Sequence, residues 1–236
     1  MSSLAIDVIT VQPKMFEGFL GESIVSRAVK KGACEISIVD LRDFAEGTYR
    51  KVDDKVYGGG PGMLMMCAPW FAAVEHCIAR RPDVPALARR TIMTSPAGKR
   101  FTQSDARDFA KAQHLIFMCG HYEGFDERIK TLATDEFSIG DFVMTGGEIA
   151  AAAMVDSCVR LLPGVLGGGA AAVAGESFGS DGLLEPPQYT HPAEFRGMKV
   201  PEVLLGGDHA AIEAWRRSAA LRITAERRPD LLKGSV

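Results

Sequence analysis

Four short glycine-dense segments hold the residues best suited to chemistry: Tyr57 to Met63 (YGGGPGM), Ser95 to Gly98 (SPAG), Cys119 to Gly124 (CGHYEG) and Ile139 to Gly147 (IGDFVMTGG). Glycine lets peptide N–H and C=O groups come close to a flat heterocycle and hydrogen-bond it without side chains. None of the four contains the GxxxxGK(S/T) pattern that cradles a polyphosphate. Glu123 and Asp141, inside two of these loops, would repel phosphate but suit a ribose hydroxyl or a cation. The chemistry implied is the binding of a nucleoside-like ligand without a polyphosphate. Two shorter patterns compete with this reading. Gly175 to Gly179 (GESFG) matches the G-x-S-x-G nucleophile elbow, with Ser177 as nucleophile and His191 or His209 as base. An elbow needs a strand before it and a helix after it, whereas a Gly/Ala run precedes this one and Pro186 and Pro187 follow. Gly167-x-Gly169-x-x-Ala172 imitates a dinucleotide fingerprint, but no strand leads into it.

The alternation of elements indicates what would hold the loops side by side. Leu4 to Val11 is apolar and β-branched, as a buried strand should be; Ile24, Val25, Ala28 and Val29 line a helix face closed by Gly32; Cys34 to Val39 alternates as a second strand. The same rhythm predicts a helix from Pro69 to Ala79, a strand over Thr91 to Thr94, a helix from Thr102 to Ala112 opened by a Thr102-x-x-Asp105 capping box, and a strand over His114 to Cys119. A helix over Glu127 to Leu132, a strand over Glu136 to Ile139 and a helix over Glu148 to Leu162 complete the series. Such alternation argues an α/β fold with a mostly parallel sheet, whose ligands bind beyond the carboxyl ends of the strands, where three of the glycine loops fall. Residues 164–182 then read as a Gly/Ala/Ser linker, and Asp208 as the N-cap of a late helix carrying Ile212, Trp215 and Ala219 on one side. Trp70 and Trp215 are expected in the core. From Glu213 to Arg228 five arginines (Arg216, Arg217, Arg222, Arg227, Arg228) face two glutamates, a local net charge of +3.

Composition bounds the rest. A chain of 236 residues suits one main domain with an appendage, and 47% hydrophobic with 24% charged residues excludes a disordered or fibrous protein. The formal net charge of −3 excludes a globally basic nucleic-acid binder, so any such partner must meet a local patch. Five cysteines without a CxxC pair argue against a disulfide framework or zinc ribbon and for buried thiols in a reducing, cytoplasmic setting. No signal-like leader and no apolar run near the ~18 residues of a membrane span is present, so no membrane partner is expected.

Longer motifs carry a resemblance: Tyr57 to Met66 (YGGGPGMLMM), Cys119 to Arg128 (CGHYEGFDER), Ser138 to Glu148 (SIGDFVMTGGE), Pro163 to Gly167 (PGVLG) and Pro187 to Pro192 (PQYTHP). Together, in this order and nearly end to end, they resemble the bacterial tRNA (guanine-N(1))-methyltransferases. The resemblance implies a SPOUT-class, S-adenosylmethionine-dependent enzyme that methylates N1 of guanosine 37 of tRNA, just 3′ of the anticodon. It implies a trefoil-knotted α/β domain over 1–163, where the ordinary topology rule would give an unknotted crossover sheet. It further implies a flexible linker over 164–182, a helical tRNA-binding domain over 183–236, and a homodimer with the active site at the subunit interface.

Carried over motif by motif, the resemblance places the methyl donor among Ser95, Pro96, Gly120, Tyr122, Glu123, Ile139, Gly140, Asp141, Phe142, Val143, Met144, Gly146 and Gly147. Phe142 stands where many relatives have Tyr, which removes a hydroxyl and keeps an apolar wall. Asp53, Gly59 and Gly60 are implied on the substrate side. Guanine N1 carries a proton at neutral pH, so transfer needs a base, and a cation for the charge that builds on the 6-oxo group. The resemblance assigns Arg160 as the cation and Glu176, in Glu176-Ser177-Phe178 where the family has Asp-Ser-Phe, as the base, with Asp181 the alternative. It also implies assistance by an ion such as Mg²⁺ near Glu123, although no cluster of ligands in the sequence marks a metal site. His121 replaces the Arg often found at its position and is assigned no role. The alternative function is a binding module of the same fold without catalysis.

Overall fold

The computed structural model describes residues 3–167, 173 and 175–232. The chain divides into two compact units, Met1–Gly167 and Gly168–Val236. The expected linker thus straddles the division, and its residues 168–172 and 174 lie outside the described residues, as does most of the dinucleotide-like pattern.

The N-terminal unit is built on a five-stranded sheet in the order β2-β1-β6-β5-β7, every pairing parallel. Its strands are β1 (Leu4–Thr10), β2 (Cys34–Asp40), β5 (Arg89–Arg100), β6 (His114–Cys119) and β7 (Asp135–Ser138), while β3 (Asp53–Asp54) and β4 (Leu64–Met65) form a separate antiparallel hairpin. Helices α1 (Glu17–Gly21), α2 (Ser23–Lys30), α3 (Cys67–Ala79), α4 (Gln103–Phe109) and α5 (Glu148–Val159) complete it. All residues of β1 and β6 are buried, which is why these strands read as nearly unbroken apolar runs: helices cover both faces of the sheet. Strand alternation sends Ile6, Val8 and Phe117 into one core with Phe109 and Met154, and Ile9, Ile116 and Met118 into a second with Trp70 and Val74 of α3. The Thr102 capping box forms as expected, Asp105 accepting from the Thr102 N–H at 2.9 Å.

Four elements differ from expectation, the first being α4, which ends at Phe109 and not Ala112. Ser95 to Gly98 is not a turn that ends a strand. It is a bulge within β5, because Thr94 and Lys99 both pair with Phe137 and pairing then resumes at Arg100. Residues 127–132 wind as a 3-10 turn capped by Asp126 rather than an α-helix, and the final helix of the unit ends at Val159, not Leu162.

The C-terminal unit carries a two-stranded hairpin, β8 (Glu194–Phe195) and β9 (Met198–Lys199), followed by α6 (Glu202–Leu205) and α7 (His209–Arg227). Asp208 caps α7, accepting from the N–H groups of Ala210 and Ala211. The Thr224 hydroxyl, buried on α7, accepts from the Leu184 N–H and donates to the Ala220 carbonyl, fastening the incoming chain to the helix.

At the end of the sheet away from the glycine loops, Asp7 is buried between His114 Nε2 at 2.8 Å and the Arg80 guanidinium at 3.2 Å. Arg89 donates to His114 Nδ1, so the ring proton sits on Nε2 and points at Asp7. Removing the carboxylate strands the buried His114 Nε2–H, while the exposed Arg80 keeps its bond to Ser37. Asp7→Ala is therefore expected to destabilise the protein by about 1–3 kcal/mol in urea denaturation, with Asp7→Asn milder.

Candidate active site

The bulge of β5 and the ends of β6 and β7 meet around a cavity of about 380 Å³. The β5 bulge contributes Ser95 and Pro96; the loop after β6 contributes Gly120, Tyr122 and Glu123; the loop after β7 contributes Ile139, Gly140, Phe142, Val143, Met144, Gly146 and Gly147. Twelve of the thirteen residues expected around the methyl donor therefore line one space. Asp141 is the exception: its exposed carboxylate pairs with Arg100 at 2.7 Å and does not line the cavity.

Glycine is needed where these loops touch. The Gly147 N–H donates to the Gly120 carbonyl at 2.8 Å, and a Cβ on Gly147 would lie 1.9 Å from the Thr94 hydroxyl, which is itself fixed by donating to the Met118 carbonyl. A Cβ on Gly146 would lie 2.4 Å from both Glu148 Oε2 and His121 Nε2.

That last contact exposes residues to which sequence reasoning gave no role. Glu148, the first residue of α5, is buried. Its Oε1 accepts from the Thr10 hydroxyl at 2.6 Å, and its Oε2 lies 3.1 Å from His121 Nε2, out of line for a hydrogen bond. Charge and helix polarity favour an acid at this position. Nothing local in the sequence joins Thr10, His121 and Glu148, so only the fold brings them together. Lys130 and Glu136 also line the cavity and were likewise not expected there. Burial pushes the Cys34 thiol up to about 11, the Cys77 and Cys158 thiols up to about 12, and Cys119 well above the usual value, so these are packing groups and not nucleophiles.

The substrate-side residues occupy the neighbouring hairpin. Half-buried Asp53 lies on β3, and Gly59 and Gly60 lie in the exposed loop leading to β4, both with positive φ and open space where a side chain would be. Main-chain bonds stitch the return strand to the cavity loop: Met65 N–H to Gly124 O, Glu123 N–H to Met63 O and Asp126 N–H to Met65 O.

Arg160 follows the last residue of α5, half-buried, its N–H donating to the Asp156 carbonyl. At 1.5 Å per residue this is about 18 Å along the helix from Glu148, so a single protomer does not bring Arg160 to its own cavity. Glu176 lies in the C-terminal unit in a turn closed by the Gly179 N–H on its carbonyl, and exposed Asp181 accepts from the Leu183 N–H. Ser177 Oγ accepts from the Glu185 N–H and sits among turns, in keeping with the flanking residues that argued against a nucleophile elbow. Trp215, expected in the core, is only half-buried; it walls an open concavity of the C-terminal unit, its ring 6.4 Å from that of Tyr189. Among the described residues no three His, Cys, Asp or Glu side chains converge as a metal site, and no helix is long and apolar enough to cross a membrane.

The loop contacts make a prediction. Gly147→Ala should destabilise the protein by about 1–3 kcal/mol in urea denaturation, because the methyl group meets a fixed hydroxyl. Gly18→Ala, with open space around its Cβ, should be neutral or stabilising in the same experiment.

Comparison with known proteins agrees with the geometry. A family model described as tRNA (Guanine-1)-methyltransferase TrmD matches residues 4–234. Curated relatives named tRNA (guanine-N(1)-)-methyltransferase include one from Geobacillus kaustophilus, 54% identical over 97% of this chain and 91% of its own length. Others come from Shouchella clausii, 54% identical over 98% of this chain and 92% of its own, and Listeria welshimeri, 52% identical over the same shares. Loops at the ends of parallel strands, enclosing one cavity and matched along nearly the whole sequence, leave one assignment: the chain belongs to the tRNA (guanine-1)-methyltransferase family.

Proposed function

We propose that the protein transfers a methyl group from S-adenosylmethionine to N1 of guanosine 37 of tRNA. The observation that carries this reading is the cavity formed by the β5 bulge and two glycine-rich loops beyond the parallel strands β6 and β7, in a chain of this family. The residues present fit the donor. The volume lies in the range of small-molecule sites, closely packed glycines bring peptide groups to the cavity, and Glu123, Glu127 and Glu136 on its lining disfavour a phosphate. When bound, S-adenosylmethionine supplies an electrophilic methyl group on a sulfonium.

The rest of the chemistry belongs to the chain. Glu176 takes the N1 proton and Arg160 stabilises the charge that develops on the 6-oxo group, while Asp53 and the Gly59–Gly60 loop hold the guanosine. The helix-length separation of Arg160 from its own cavity supports a homodimer in which one protomer's cavity is completed by Arg160 of the partner subunit. SPOUT-class topology with its trefoil knot belongs to the same reading, as does a division into a methyltransferase domain over 1–163, a linker over 164–182 and a tRNA-holding domain over 183–236. Arg217, Arg222 and Arg227 are exposed on α7 with no ion-pair partner among the described residues, which supports a phosphate-contacting surface. Assistance by Mg²⁺ rests on the resemblance alone.

A single-turnover assay with labelled donor and unmodified tRNA tests the proposal. Label should enter guanosine 37 and be lost when that base is adenosine; no incorporation, or label in the adenosine transcript, overturns it and leaves a binding module. Glu176→Ala and Arg160→Ala should each slow transfer by about 100-fold or more while retaining donor binding. Asp181→Ala should be nearly as active as the parent, and a collapse there instead would move the base to Asp181. Binding of tRNA should weaken as salt rises, with a shallower slope after Ala replacement of Arg217, Arg222 and Arg227.

A further inference from the structure

Glu136 lies on β7, opposite Met93 of β5. Alternation sends its neighbour Phe137 into the core against Phe101 and Phe109, leaving Glu136 on the opposite face, where it lines the cavity. Its Oε1 is buried and has no hydrogen-bond partner among the described residues. The surrounding acids are differently placed. Asp135 accepts from Arg90 and Thr134, Asp126 from Arg128, and Asp141 from Arg100. Glu148 accepts from Thr10, and Glu127 holds the Lys130 ammonium at 3.0 Å. Glu136 alone among these presents on the cavity lining a buried carboxylate oxygen that accepts no hydrogen bond among the described residues; the Lys130 ammonium, bonded to Glu127, acts on it through charge only.

A carboxylate oxygen kept from water requires a donor, and an ionised carboxylate can only accept. The group that meets Glu136 is therefore a hydroxyl or an amine, never a phosphate or another carboxylate. Of the donors on a nucleoside, the vicinal ribose hydroxyls fit best. They form an adjacent pair that one carboxylate can serve, and an acid is a recurrent partner of a ribose hydroxyl beyond the strands of a parallel sheet. Asp141, the acid in the β7 loop that could have taken this part, is turned outward to Arg100. We infer that Glu136 is the hydrogen-bond acceptor for the ribose diol of the ligand in this cavity. The inference rests on reading the cavity as the donor site and adds to it the residue that recognises the sugar.

Calorimetric titration separates the two claims without an activity readout. The full-length protein is titrated with S-adenosylhomocysteine, with 5′-methylthioadenosine, which lacks the amino-acid end, and with the 2′,3′-dideoxy form of the latter. Glu136→Gln should weaken the first two ligands equally, by about tenfold or more. The dideoxy compound should bind the parent protein more weakly than its parent nucleoside by a similar factor and should not distinguish parent from variant. The inference is overturned if Glu136→Gln binds methylthioadenosine like the parent, if only S-adenosylhomocysteine is weakened, or if the parent protein tolerates loss of the diol. That last measurement needs no variant to fold. Failure of the parent to bind either intact ligand would instead remove the donor-site reading, and this inference with it.

Discussion

Glu148 opens α5 with its side chain buried, one carboxylate oxygen on the Thr10 hydroxyl and the other facing the His121 ring. A buried carboxyl group persists only where partners and local dipoles compensate its polarity, and here they come from the end of β1, the loop after β6 and the helix N-terminus. The two glycines before Glu148 follow from that arrangement. Gly146 passes so close to the carboxylate and imidazole that no side chain fits, and Gly147 bonds to the Gly120 carbonyl across the gap between loops. The shape of the cavity is thus set in part by Thr10 and Glu148, polar groups off its lining, acting through His121 on it.

The walls of the cavity divide by character. Exposed Tyr122, Phe142 and Val143 form an apolar rim, while Glu127, Lys130 and Glu136 make a charged side. In the function proposed above, the groups that act on the acceptor base come from elsewhere: Arg160 from the far end of α5 and Glu176 from the C-terminal unit. Such a composite site separates holding the donor, done by preformed loops, from activating the acceptor. Positioning two reactants in this way accounts for much of the rate of a displacement reaction.

Much of this was legible from residue order because the relevant physics is local. The apolar runs of β1 and β6 announce strands covered on both sides, Thr102 and Asp105 announce their own cap, and glycine bunching marks the close approach of loops. What failed was non-local. Ser95 to Gly98 has the composition of a turn, yet beyond it Lys99 returns to Phe137 and pairing continues at Arg100, a fact about β7 and not about the segment itself. Two-residue strands such as Asp53–Asp54 and Leu64–Met65 are too short to show any period. Asp141 sits in the right loop, but its side chain answers to Arg100 of another strand. His121 and Glu148 are neighbours only after the chain has returned across the sheet.

The three main-chain bonds between Met63–Met65 and the Glu123–Asp126 segment tie the end of the 57–62 loop to residues that line the cavity, and the positive-φ Gly62 packs where a Cβ would strike the Glu123 side chain. Whatever settles on that loop presses on the same peptide groups as whatever fills the cavity. Linkage then requires reciprocity: if one occupant tightens the grip on the other, the second tightens the grip on the first by an equal factor, whichever arrives earlier.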